Sequence, residues 1–170
     1  ITLKGKKYKF DYSLEEYIET ARKSQWDEDI IERFASQYKP IHADFISDFT
    51  SDFCLNAGGF GSGKSLSLYI KLILTCNCFP NIRVLVGRKT MSYIERAVLP
   101  ELFELMPQSW YNYEVKKGLI TFTNGSQIIL FGLDAMQSGG IADIKKAQQK
   151  LKSLNLGAYF IDQLEEVEYE

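Results

Sequence analysis

Gly58-Gly59-Phe60-Gly61-Ser62-Gly63-Lys64-Ser65 decides the fold, because it satisfies the pattern G-x-x-x-x-G-K-[ST] at each fixed position. Each fixed position has a physical task. Glycines accept positive φ and let the main chain approach a ligand closely. Successive N–H groups of such a loop point at phosphate oxygens. Lys64 is expected to reach the β- and γ-phosphates as a point charge, and the Ser65 hydroxyl to ligate Mg²⁺. The amides of a following helix N-terminus add favourable potential for the anion.

The flanks fit. Asp52-Phe53-Cys54-Leu55-Asn56-Ala57 reads as a short buried strand, and Leu66 to Leu74 as a helix ending near Cys78. Strand, glycine loop, helix is the order a phosphate-binding loop requires. Downstream, Ile82–Arg88 reads as a strand of a mainly parallel sheet after a turn at Pro80-Asn81. Met91–Leu105 is amphipathic and helical in period, with Pro100 expected to kink or split it. Leu119–Thr123 and Ser126–Phe131 flank Asn124-Gly125 and predict a β-hairpin with a type I′ turn. Residues 135–155 are polar and read as a loop plus a helix.

Residues 1–50 read as a helical lead-in, and 51–170 as the α/β part. Ser13-Leu14-Glu15-Glu16 is a capping box opening a helix over Glu15–Arg22. Asp27 starts a second helix, and Pro40 the first turn of a third running through Ile41 to Phe49. Lys4, Lys6, Lys7 and Lys9 suggest a solvated edge strand.

Composition sets bounds on function. A chain of 170 residues with 45% hydrophobic residues supports about one domain with a real core. The net charge of −2 does not mark the whole chain as a nucleic-acid binder, so any DNA contact must come from local basic patches such as Lys145, Lys146, Lys150 and Lys152, or from a part outside this sequence. Three cysteines, Cys54, Cys76 and Cys78, are an odd count and read as reduced packing residues. No apolar run reaches the length of a membrane span. His42 has no paired ligand and reads as structural; Trp26, Trp110 and Tyr111 read as core.

Gly157–Asp162 is an apolar strand ending in an acid, the form of a Walker B strand. An aspartate there holds Mg²⁺ opposite the loop's serine. Gln163 follows, where ATPases of the additional-strand class usually carry the glutamate that polarises the attacking water. Glutamine orients water but accepts no proton. Glu165 and Glu166 are the alternatives for that role, or they merely favour a helix N-terminus.

Four segments, Gly58–Ser65, Val84–Thr90 (VLVGRKT), Asn124–Asp134 (NGSQIILFGLD) and Leu156–Val167 (LGAYFIDQLEEV), together resemble the large terminase subunit of tailed bacteriophages, an ATP-driven DNA-packaging motor. The resemblance implies an α/β P-loop NTPase of the additional-strand (ASCE) class, with a mainly parallel sheet flanked by helices. It implies ATP and Mg²⁺ as cofactors, and ATP hydrolysis coupled to translocation of double-stranded DNA into a procapsid. It also implies a homo-oligomeric ring on the portal protein, a small terminase subunit as partner, and the host cell cytoplasm as location. Relatives carry a C-terminal nuclease domain, so the chain is expected to be an ATPase domain cut after the Walker B region. Many relatives have a basic residue where Phe60 stands. Arg88 is then a candidate for phosphate sensing or ring contact, and Lys152 matches a region where relatives place a basic residue. Two other readings remain open: a different P-loop enzyme, helicase-like or a small-molecule kinase, and a nucleotide-binding fragment without turnover.

Overall fold

A computed structural model describes residues 2–3, 6–7, 22, 28, 32, 40–136, 149 and 151–164. The chain divides into two compact units, described separately: Ile1–Lys71 with Leu105–Pro107, and Leu72–Glu104 with Gln108–Glu170.

In the first unit, β1 (Thr2–Leu3) and β2 (Lys6–Lys7) pair antiparallel. Helix α1 (Pro40–Ser47) begins at the proline, as its fixed φ and missing N–H favour. Helix α2 (Lys64–Cys78) starts in this unit at the end of the glycine loop. Lys71, buried on α2, anchors α1: its Nζ donates to the carbonyls of Phe45 (2.8 Å) and Asp48 (2.6 Å) at the helix's C-terminal end. Those carbonyls lack intrahelical partners, and a cation there also complements the helix dipole. The Nζ lies 4.6 Å from the Phe45 ring centroid.

The expected strand over Asp52–Ala57 does not form. Phe53 and Leu55 are 75% and 70% exposed, and no described residue pairs with the segment's backbone as a strand. A strand needs a neighbouring ladder, and the apolar run alone does not supply one. The capping-box helix over Glu15–Arg22, the start of the second helix at Asp27, and Trp26 lie outside the described residues.

The second unit is α/β. Its five strands are β3 (Arg83–Arg88), β4 (Tyr111–Glu114), β5 (Leu119–Phe122), β6 (Gln127–Gly132) and β7 (Ala158–Ile161), in the spatial order β4-β5-β6-β3-β7. The sheet is mixed rather than mainly parallel: β3 runs parallel to β6 and β7, while β5 is antiparallel to β4 and β6. Hairpin strands must be antiparallel, and here they make up one half of the sheet. Strand β3 lies between two partners and is buried from Val84 to Arg88. Val84, Val86, Ile120 and Ile128 are fully buried, each contributing roughly 1.5–3 kcal/mol as an upper estimate.

The hairpin forms with Leu119 opposite Ile129 and Thr121 opposite Gln127. Its turn is not type I′. Asn124 lacks a positive φ, and Gly125 alone (φ +85) has one. Gly125 N–H donates to Phe122 O (2.9 Å) and Phe122 N–H to Ser126 O (2.8 Å), the three-residue form with glycine in the left-handed position. A Cβ at Gly125 would also meet the Asn81 side chain. The turn caps the end of α2: Asn124 Nδ2 and the Ser126 hydroxyl each donate to Cys76 O at 2.8 Å, and the hydroxyl also reaches Phe79 O at 3.0 Å. Carbonyls orphaned at the helix end are thereby paired.

Pro100 acts one turn upstream. Helix α3 (Met91–Tyr93) passes into a π-turn over Ile94–Val98, where Leu99 N–H reaches Ile94 O, before α4 (Leu99–Glu104) resumes. Proline cannot donate to the carbonyl four residues back, and a π-turn is one way the ladder shifts around that gap. Cys54, Cys76 and Cys78 are free thiols. Among the described residues, no helix is long and apolar enough to cross a membrane.

Candidate functional site

The glycine loop takes the conformation its sequence requires. Gly61 and Gly63 have φ of +69° and +84°, in the left-handed region that side chains disfavour. Ser62 N–H donates to Gly59 O at 3.3 Å, closing a turn, and Ser67 N–H begins the α2 ladder on Gly63 O at 3.0 Å. The Ser67 hydroxyl doubles that bond at 2.6 Å and itself accepts from Asn56 Nδ2 at 3.3 Å. Lys64 folds back over the loop, its Nζ donating to Gly58 O (2.6 Å) and Gly59 O (2.9 Å). Ser65 occupies the first turn of α2, half-buried. Phe60 is fully exposed at the tip. The Ser62 hydroxyl oxygen is buried, with no hydrogen-bond partner among the described residues.

One contact was not foreseen. His42 of α1 is buried, and its Nε2 stands 2.9 Å from Ser62 O. A carbonyl only accepts, so Nε2 carries the proton. The sequence held a faint signal: a histidine in the first turn of a helix opened by Pro40. With no nearby ligand partners in the sequence, it reads as structural.

Behind α1 stands a second polar cluster. Asp48 Oδ1 accepts from Thr50 and Ser51 N–H at 3.0 Å each, and Cys54 Sγ donates to its Oδ2 at 3.2 Å. Bonding from Ser51 first of all holds the Asp48 carboxyl far below the usual carboxylate range. Burial, followed by the bond to Asp48, pushes the Cys54 thiol up.

The remaining expected site residues belong to the second unit. Asp162 directly follows β7 and is buried; its N–H donates to Gly87 O at 3.0 Å. Arg88 closes β3, also buried, with Nη1 3.8 Å from Asp162 Oδ2 and its guanidinium carbon 5.6 Å from the Tyr93 ring centroid. The parallel register of Gly87 with Ile161 brings the two side chains together. Gln163 follows in the left-handed region (φ +54°), with its buried Oε1 unpaired among the described residues. A non-glycine residue there costs about 1–2 kcal/mol, a strain often found at functional sites. Glu101, in the first turn of α4, was missed as a site neighbour. Its carboxyl is pushed up by burial first, then by the charge of Asp162, against the pull of Arg88. Lys152 is exposed. Glu165, Glu166, Lys145, Lys146 and Lys150 lie outside the described residues.

Searches of protein families, curated proteins and solved structures return no match to this chain.

Proposed function

We propose that this chain binds the phosphates of ATP through Gly58–Ser65 and belongs to an ATPase of the additional-strand P-loop class. The observation that carries the reading is the loop itself: two glycines in the left-handed region, and the lysine of the G-K-[ST] pattern, whose ammonium rests on two loop carbonyls. Phosphate oxygens are stronger acceptors for that ammonium than neutral carbonyls. The parallel trio β6-β3-β7, ending at Arg88 and Asp162, supports the finer fold class.

In this account the amides of the loop and Lys64 hold the phosphates. Ser65 in the first unit, and Asp162 in the second, each carry a hard oxygen donor of the kind Mg²⁺ takes, an ion that keeps several waters and binds with few carboxylates. No group of three or more His, Cys, Asp or Glu stands ready to hold a metal among the described residues, so the cation would come with its phosphate ligands. Mg²⁺ when bound neutralises charge developing on the transferred phosphoryl group. Gln163 orients a water, and Arg88 keeps the Asp162 carboxylate in place.

The resemblance in Gly58–Ser65, Val84–Thr90, Asn124–Asp134 and Leu156–Val167 extends the proposal to a terminase-type motor that moves double-stranded DNA into a procapsid, working as a ring with portal protein and small terminase subunit in the host cell cytoplasm. ATP turnover by the protein carrying this chain, with and without double-stranded DNA, tests the motor. Stimulation by DNA is expected; turnover indifferent to DNA would overturn it. A second reading, nucleotide binding without turnover, is favoured by Gln163 standing where a base is needed.

A further inference from the structure

We infer that His42 is a positioning residue that sets the aim of the loop's Gly63 amide, an inference resting on the phosphate-binding reading of the loop. Two observations meet at one peptide bond. His42 Nε2 donates to Ser62 O at 2.9 Å. The same ring fills the space beside Gly63: a Cβ there would lie 2.7 Å from His42 Cε1. A trans peptide is planar, and its C=O and N–H point in opposite directions. Holding the Ser62 carbonyl toward His42 therefore turns the Gly63 N–H away from His42. That amide belongs to the Gly-Lys-Ser segment whose N–H groups cradle phosphate in loops of this pattern.

His42 is suited to the task because it does not move freely. It is buried, and α1 is anchored to α2 by Lys71 through the Phe45 and Asp48 carbonyls. Without the imidazole bond, the Ser62–Gly63 peptide is free to rotate, as glycine's φ and ψ permit. Each phosphate-binding event must then re-order it, which lowers affinity. The Ser62 hydroxyl, buried beside this peptide and without a partner among the described residues, offers no substitute restraint there.

The test uses calorimetry of Mg²⁺ with a non-hydrolysable ATP analogue on the 170-residue chain, with thermal melts of every variant. His42→Phe keeps a ring and loses the donor. His42→Asn places its amide too short to reach Ser62. His42→Gln presents an N–H close to the original Nε2 position. Phe and Asn are expected to weaken binding about five- to tenfold, the equivalent of one lost hydrogen bond. Gln is expected to restore affinity to within about twofold, whatever its melting temperature. A merely structural role would make affinity follow the melting temperature instead. If Phe does not fold, the contrast between Asn and Gln decides. Equal affinity in all foldable variants, with binding still abolished by Lys64→Ala, overturns the role of His42 and leaves the loop reading intact. Binding unaffected by Lys64→Ala overturns both.

Discussion

Arg88 Nη1 stands 3.8 Å from Asp162 Oδ2, both side chains buried at the carboxyl ends of adjacent parallel strands. The pairing is a consequence of register: Gly87 lies opposite Ile161, so the next residue on each strand meets at the sheet's edge. In open α/β sheets this end of the strands is where ligands bind. A buried pair of opposite charges thus stands at that end of the sheet.

Removing one partner leaves the other charge buried with less compensation. Asp162→Asn should destabilise the chain by about 3 kcal/mol, the low end for a broken buried pair, since 3.8 Å is a long contact. A double-mutant cycle with Arg88→Gln, followed by urea denaturation, checks this. Additive losses, within about 0.3–0.5 kcal/mol, would mean that the pair is not coupled.

Acid should weaken the Asp48 cluster. Its carboxyl is held below the ordinary range by bonding from Ser51 and its neighbours, so the stabilisation is present above the unfolded value. It begins to be lost as pH falls below about 4 and goes completely only when pH falls through the much lower folded-state value. The group is half-buried, and its contact with solvent screens part of the effect. Thermal melts at about pH 7 and about pH 3 should show Asp48→Asn less stable than the parent at both, with the gap narrowed only in part at the lower pH because the folded carboxylate is still ionised there. A difference independent of pH would contradict this.

Gln163→Glu supplies the proton acceptor that the wild-type side chain lacks, at nearly identical shape. Phosphate release should rise by about 10²-fold, the low end for general-base catalysis. Unchanged turnover would place the catalytic base elsewhere, with Glu101, whose carboxyl feels the charge of Asp162, a described acid to test.

Local signals carried much of this fold. The Asn124-Gly125 turn, the α1 start at Pro40, the Pro100 interruption and the glycine loop all depend on residues within a few positions of one another, and each formed. The details that differed depend on distant partners. Asp52–Ala57 has strand-like composition but no ladder, and Asn124 turned its side chain to the end of α2 instead of taking a positive φ. His42 reads as structural in the sequence, but its bond to Ser62 is not legible there, because Ser62 is 20 positions away and local pattern carries no record of such a contact. Gly63 appeared in the sequence as a loop glycine; that an imidazole lies against it was legible only in three dimensions.

The most direct test of the central claim is calorimetric titration of ATP and Mg²⁺ into the 170-residue chain and its Lys64→Ala variant. Saturable binding by the parent, lost in the variant, is the predicted result. Equal binding by both proteins, or binding by neither, would contradict a phosphate-binding loop at Gly58–Ser65.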